Sequence, residues 1–317
     1  MSALRSNKQN ARLPNVLCVD VEEWYHPEFV RSKSLPNRVS YACKQTRVAL
    51  NLLREFNVKA TFFVVGEIAE ESPGLLKAIV NDGHEVAFHG YHHNPLWTSD
   101  LQSFKYEVER FNSIVFLATG QLCWGFRAPS YSLDNRTKWA LRVLKDSGFL
   151  YDSSVFPLKT PLYGEPLAPI IPYHPSSENI AENDDSERLF EFPALVYPLL
   201  GFRIPVAGGF FLRVLPLIFF RKAINRMNQK GFPAVVSFHT WELDGEIPRL
   251  KLGPTKSFVT YHNLKNVHSR LSSLLSEFKF TSFRRFLEGY PYQMLDPRSI
   301  QDLKNEICLR KDVAAFS

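Results

Sequence analysis

Six short apolar runs, separated by longer amphipathic stretches, limit what this 317-residue chain can fold into. The runs are Val16–Asp20, Ala60–Val65, His84–His89, Trp124–Arg127, Leu189–Pro193 and Ala234–His239. Their length and their Val and Phe content are those of strands. Between them, Thr46–Phe56 places Val48, Leu52, Leu53 and Phe56 on one helical face, and PGLLKAIVNDG ends on Gly83, a residue suited to a helix C-cap. Further helices are expected over 101–117, 136–146, 217–229 and 264–278. Strand and helix alternate, which calls for an α/β fold built on a parallel sheet or barrel. The alternation fails between Pro161 and Pro175, where five prolines precede the polar run SSENIAENDDSE. An irregular insertion around 158–188 is expected there. The expected organisation is a flexible tail over 1–14, one domain over 15–290 and a peripheral C-terminal segment over 291–317.

Apolar residues make up 45% of the chain, enough for a large core, and the net charge is +6. That excess favours anionic partners without selecting one. The basic residues are scattered, with no stripe for tracking phosphates, so no nucleic-acid partner is expected. Cys18, Cys43, Cys123 and Cys308 form no C-x-x-C pair, as expected of reduced thiols. The first fifteen residues contain no apolar run of signal-peptide length, and cytoplasmic location is the expectation. The apolar stretch from Phe192 to Phe220 is broken by arginines, glycines and prolines and does not read as a transmembrane span. Within it, Gly209–Lys222 suits a buried helix first and a segment resting on a membrane surface second.

Four strand ends carry residues that bind metals or move protons. VLCVD runs into Asp20, Glu22 and Glu23; so many carboxylates in four residues need a cation, basic neighbours or water to offset their repulsion. HEVAFHGYHH supplies His89 and His93, whose spacing lets two imidazoles meet one ion if the chain turns between them. GFRAPSYS ends a strand on Arg127, able to orient a carboxylate, with Pro129 stiffening the loop. AVVSFHTWE delivers His239 beside Trp241. Taken singly, each has a plainer reading: an acidic turn, a histidine-rich loop, a surface arginine, a structural histidine. Together they suggest one site at the C-terminal ends of parallel strands, where barrels build active sites.

With these motifs the sequence resembles the polysaccharide deacetylase family, the NodB-homology group of carbohydrate esterases, from about Val16 to Asp244. It is most similar to the branch whose first motif reads D-V-E-x-W-x-H, here DVEEWYH, associated with exopolysaccharide gene clusters. The resemblance implies a distorted (β/α)7-like barrel forming a single catalytic domain. It implies Asp20 as catalytic base, His239 as catalytic acid and Arg127 as the residue orienting the base. It also implies Glu22, His89 and His93 as ligands of a divalent metal, most of all Zn2+, with Glu23 open as an alternative to Glu22. The family aspartate that tunes the catalytic histidine has no clear counterpart, and Glu191 is the candidate. Pro129, Tyr131, Trp24 and Trp241 are the candidate substrate contacts, and a backbone N–H near Tyr131 is a candidate oxyanion donor.

The implied reaction is metal-assisted hydrolysis of an N-acetyl group on a glycan, lipid-linked or free, releasing acetate. The same barrel also suits an O-acetyl esterase, a cyclic-amide hydrolase or a non-catalytic glycan-binding protein. Action on a cytoplasmic or inner-leaflet precursor is expected.

Overall fold

The computed structural model describes residues 13–31, 33 and 39–289. The expected C-terminal segment over 291–317, and all but the last two residues of the expected tail, lie outside these. The strands are β1 (Asn15–Val21), β2 (Thr61–Val64), β3 (Glu85–Phe88), β4 (Gly125–Phe126), β5 (Tyr151–Asp152), β6 (Phe190–Glu191), β7 (Val196–Leu199), β8 (Phe202–Pro205), β9 (Val235–His239) and β10 (Phe280–Thr281). The helices are α1 (Glu28–Arg31), α2 (Ala42–Glu55), α3 (Gly66–Glu71), α4 (Pro73–Asn81), α5 (Leu101–Thr119), α6 (Trp139–Asp146), α7 (Phe210–Val214), α8 (Leu217–Gln229), α9 (Pro254–Tyr261), α10 (Val267–Glu277) and α11 (Phe283–Gly289).

Parallel pairing runs in the order β9-β1-β2-β3-β4-β5-β6, and the sheet curls into a half-barrel. At Val16 both β9 and β10 pair with β1, so β10 occupies the edge that β2 takes over from Cys18 onward. Residues alternate across each strand. Leu17, Val19, Phe62, Val64 and Phe88 therefore pack outward against helix residues such as Leu53, Ile79, Phe104 and Phe111. Val16, Cys18, Phe63, Ala87 and Val235 point inward, onto Tyr151, Phe192, Phe283 and Phe286. This aromatic floor closes the N-terminal end of the barrel. Burial pushes the Cys18 and Cys123 thiols up to about 12, so both serve as core residues.

All six apolar runs form strands, and each expected helix has a counterpart. The strict alternation does not hold beyond β5. No helix or strand lies between β5 and β6, and Tyr173 and Pro175 make only isolated bridges to Glu191 and Asn183. The apolar stretch that follows opens with an antiparallel hairpin, β7–β8, and then enters α7 and α8.

The gap between β6 and β9 is spanned by the segment after the hairpin. The Val206 N–H donates to the Leu195 carbonyl at 2.9 Å, and the Ser237 N–H donates to the Ala207 carbonyl at 2.7 Å. Gly208 then bridges parallel to Ser237 with φ +143°, and a Cβ there would stand 1.6 Å from the Ser237 oxygen. Only glycine fits that approach. Gly208→Ala is expected to cost at least about 2 kcal/mol of stability through backbone strain and the displaced ladder, measured as a lowered midpoint in guanidinium unfolding.

Candidate active site

Strand parity delivers the key side chains to one place. Asp20 follows Val16 and Cys18 on the inward face of β1, His89 follows Ala87 just past β3, and His239 follows Val235 and Ser237 on β9. Asp20 and His239 are direct cross-strand partners. Phe88 pairs with Phe126, so His89 and Arg127 leave neighbouring strands at the same level. These residues line one cavity of about 240 Å³ at the C-terminal end of the sheet.

Arg127 is fully enclosed. Its Nη1 donates to Asp20 Oδ1 at 2.9 Å, its Nε to the Ser153 carbonyl at 3.0 Å and its Nη2 to Ser153 Oγ at 3.0 Å. Asp20 is thereby held with Oδ2 turned toward His239 Nε2, 3.8 Å away.

Glu22, His89 and His93 form the one group of ligand-type side chains, among the described residues, whose donor atoms all lie within 4.8 Å of one another. Glu22 Oε2 touches His93 Nε2 and lies 3.9 Å from His89 Nε2. The loop curls because Gly90 and His93 take φ +71° and +54°, which brings the two imidazole centroids to 5.0 Å. His89 Nδ1 lies 2.8 Å from the Arg127 carbonyl, an acceptor only, so Nδ1 carries the proton and the Nε2 lone pair faces Glu22. Burial brings His89 down to about 4, which keeps it neutral. Burial works against charge on Glu22, but the imidazoles of His93 and His239 outweigh it and hold the carboxylate well below its usual range. A carboxylate and two imidazoles, with the fourth side open to the cavity, fit a divalent cation such as zinc.

Glu23 is used elsewhere. Its carboxylate accepts the backbone N–H groups of Tyr41 at 3.0 Å and Ala42 at 3.1 Å and contacts the Ser40 hydroxyl, anchoring the start of α2. Adjacent carboxylates thus point in different directions, and Glu22 alone meets the histidines. Glu23→Ala is expected to destabilise the protein by about 1–3 kcal/mol, because buried donors lose their acceptor, while the stoichiometry of any divalent cation taken up at Glu22, His89 and His93 is unchanged. Urea unfolding and metal analysis read the two effects.

The carboxylate bonded to His239 is Glu242, not the candidate Glu191. Glu242 Oε2 lies 2.9 Å from His239 Nδ1 and accepts the His239 N–H at 3.0 Å. Its Oε1 takes Arg213 Nε at 2.8 Å, and Arg213 is fixed in turn by the carbonyls of Val259, Thr260 and His262. Burial opposes charge on His239, but the carboxylates of Glu22, Glu242 and Asp20 prevail and raise it from its usual 6.5 to about 9. Glu191 instead faces Asp152 across the β5–β6 pair and accepts the Val155 N–H at 2.9 Å. Burial and then the neighbouring Asp152 charge push Glu191 well up, so the pair shares a proton. Asp152 also contacts Ser154, whose hydroxyl accepts the Ala128 N–H at 2.7 Å, bracing the loop that follows Arg127.

Among the candidate substrate contacts, Tyr131 and Trp241 line the cavity. Trp241 stacks on His239 with ring centroids 5.6 Å apart and donates to Glu22 Oε1 at 2.8 Å. Trp24 is not a lining residue: it is buried with Val30, Ile247 and Leu252, and its indole N–H donates to the Val39 carbonyl at 3.2 Å. Pro129 is buried against Gly90. The Tyr131 N–H is taken by the Ala128 carbonyl at 3.2 Å, which leaves it unsuited as an oxyanion donor.

Sequence reading assigned no role to Glu242, Arg213 or His26. His26 stacks on His93 at 5.1 Å and its Nε2 lies 3.0 Å from Glu67 Oε1, while Glu67 Oε2 meets His92. Burial would raise Glu67, but the hydrogen bonds from His26 and His92 bring it down to about 2. The signal for Glu242 was present in HTWE, where a carboxylate three residues after a strand-ending histidine forms a capping box.

Comparison with known proteins agrees with this fold. Residues 42–149 match the polysaccharide deacetylase family model, and residues 153–288 match a domain of unknown function, DUF3473. A peptidoglycan deacetylase-like protein of Gibberella zeae is 37% identical over 97 residues, covering 31% of this chain and 28% of its own length. A peptidoglycan-N-acetylglucosamine deacetylase of Bacillus cereus is 35% identical over 92 residues, covering 29% and 34%. The chain thus spans about a third or less of these relatives. A candidate polysaccharide deacetylase from Mycobacterium smegmatis has the same fold, with TM-score 0.59 and 20% identity over 93% of this chain and 96% of that one. The chain carries a polysaccharide deacetylase domain, folded as the family's (β/α)7-like half-barrel.

Proposed function

We propose that this protein is a metal-dependent N-deacetylase that hydrolyses the acetamide of an N-acetylated glycan. The observation that carries the reading is the placement of two polar pairs, Asp20 with Arg127 and His239 with Glu242, in the same cavity as the Glu22, His89 and His93 cluster. Those three residues would hold a divalent cation, which when bound would supply an activated water and polarise the acetyl oxygen.

The chain's own groups do the rest. Asp20 removes a proton from the attacking water, with Arg127 keeping its second oxygen occupied and its carboxylate aimed. The new C–O bond forms as the amide C–N bond breaks, and His239 delivers a proton from Nε2 to the departing amine. Glu242 on Nδ1 keeps His239 protonated beforehand and fixes which nitrogen faces the substrate. Acetate and a free amino sugar leave. Tyr131, Trp241, Phe156 and Tyr163 give the cavity aromatic walls able to stack against a sugar ring.

Within this reading we take the cation to be zinc, the substrate an envelope or exopolysaccharide precursor, free or lipid-linked, and the compartment the cytoplasmic side of the inner membrane. The Bacillus cereus relative's name, peptidoglycan-N-acetylglucosamine deacetylase, supports an N-acetyl sugar. The test is acetate release from N-acetylglucosamine oligomers, O-acetylated xylan and a cyclic ureide in parallel. Preferential turnover of the oligomers is expected. Turnover of the ester or ureide alone moves the assignment to another bond, and metal binding with no turnover on any acetylated glycan makes the barrel a glycan-binding one.

A further inference from the structure

The whole positive excess of the chain can be traced to one segment. Between Glu191 and Glu242 there is no acidic residue, while Arg203, Arg213, Arg221, Lys222, Arg226 and Lys230 all fall there; this local +6 equals the net charge of the full sequence. Arg213 is spent on Glu242 and Arg221 on Glu277. Lys222, Arg226 and Lys230 on α8 and just past it are exposed and make no ion pair with a described residue.

The same segment presents apolar side chains to solvent. At the tip of the β7–β8 hairpin Leu200 is 89% exposed and Phe202 76% exposed, and Leu199 and Ile218 are also exposed. Leu200 takes φ +49°, a conformation that a β-turn tip more readily gives to glycine or asparagine, so a large apolar residue stands where a small polar one would suit the turn. The hairpin lies against α8, with the Tyr197 and Phe219 rings 6.4 Å apart, and Lys222 and Arg226 follow Phe219 at helical spacing on that side. Arg203 ties the hairpin to the Pro157 and Ala168 carbonyls, next to the loop that carries Phe156 and Tyr163 into the cavity. The strand leaving the hairpin runs straight to Gly209, against His239.

We propose that the β7–β8 tip and the basic face of α8 dock the protein on an anionic lipid bilayer, Leu200 and Phe202 entering the acyl boundary and Lys222, Arg226 and Lys230 meeting headgroup phosphates. Apolar residues flanked by cations, in a segment whose own sequence holds no acid, is the composition that favours such a surface. Among the described residues no helix is long and apolar enough to cross a membrane. The docking surface stands independently of the deacetylase reading.

The test is flotation of the full chain with vesicles of neutral phosphatidylcholine and of equimolar phosphatidylcholine and phosphatidylglycerol. Binding to the anionic vesicles, weakened by salt, is expected. Leu200→Ser with Phe202→Ser should weaken it by about a hundredfold, given about tenfold or more for each apolar side chain withdrawn from contact. Lys222→Glu with Arg226→Glu should abolish the preference for anionic lipid. Thermal unfolding and zinc content of both variants should match the parent, since these residues are exposed. Equal binding by parent and variants, or no binding at low salt, overturns the proposal. So does a dimer in light scattering that the hairpin variant dissolves, because the tip is then an interface between copies.

Discussion

Asp20→Asn is expected to lower acetate release by about two to four orders of magnitude, the range general-base catalysis contributes, and also to weaken the fold. The asparagine still accepts a hydrogen bond from Arg127, but the guanidinium, 2% exposed, then lacks a counter-charge. Breaking a buried pair from one side costs about 3–5 kcal/mol. The two effects separate in a double variant. Asp20→Leu with Arg127→Met removes both charges, so stability in guanidinium should return most of the way to that of the parent while acetate release stays absent. A single variant that unfolds like the parent, or a double variant that regains turnover, contradicts the role given to the pair.

Glu242→Gln is expected to move the alkaline limb of the rate profile. His239 must be protonated to donate to the leaving amine, and the carboxylates of Glu22, Glu242 and Asp20 hold its proton above the usual histidine range. When Glu22 is engaged by a cation its pull on His239 diminishes, and Glu242 is the carboxylate still bonded to Nδ1. Without that charge His239 loses its proton earlier, so activity should begin to fall at least about one pH unit lower, and kcat measured about half a unit below the parent's alkaline midpoint should drop by about threefold or more. The direction for stability follows the same sign. A histidine raised from 6.5 to about 9 stabilises the fold fully below pH 6.5 and loses that contribution as pH rises through 9. In Glu242→Gln the loss begins at lower pH. An unchanged pH profile would make Glu242 a support for Arg213 and the loop over 259–262, with no part in tuning His239.

Much of the site could be read from residues alone because a strand has a period of two. Asp20, His89 and His239 share parity with inward-facing neighbours, and Arg127 emerges level with His89. Parity could not separate Glu22 from Glu23, because both lie beyond the inward-facing Asp20, where the chain turns toward α1. What separated them is the start of α2, whose donors draw Glu23 away. Glu242 escaped notice because its position reads as a helix cap, and it serves as one while also bonding His239 Nδ1. Glu191 drew attention as a carboxylate at a strand end, yet its neighbour Asp152 sits in a strand of two residues, too short to leave a pattern. The hairpin was hidden for another reason: it lies inside the apolar stretch from Phe192 to Phe220, where nothing in composition sets it apart, and only the fold shows that Leu200 and Phe202 remain outside.

The most direct measurement combines metal content and acetate release on the full chain after stripping with a chelator and titrating zinc back. One zinc per chain, activity lost on stripping and restored at that stoichiometry, and neither regained by Glu22→Gln or His93→Ala, is the expected result. Undiminished acetate release from the stripped protein, or from His93→Ala with no metal bound, would contradict it.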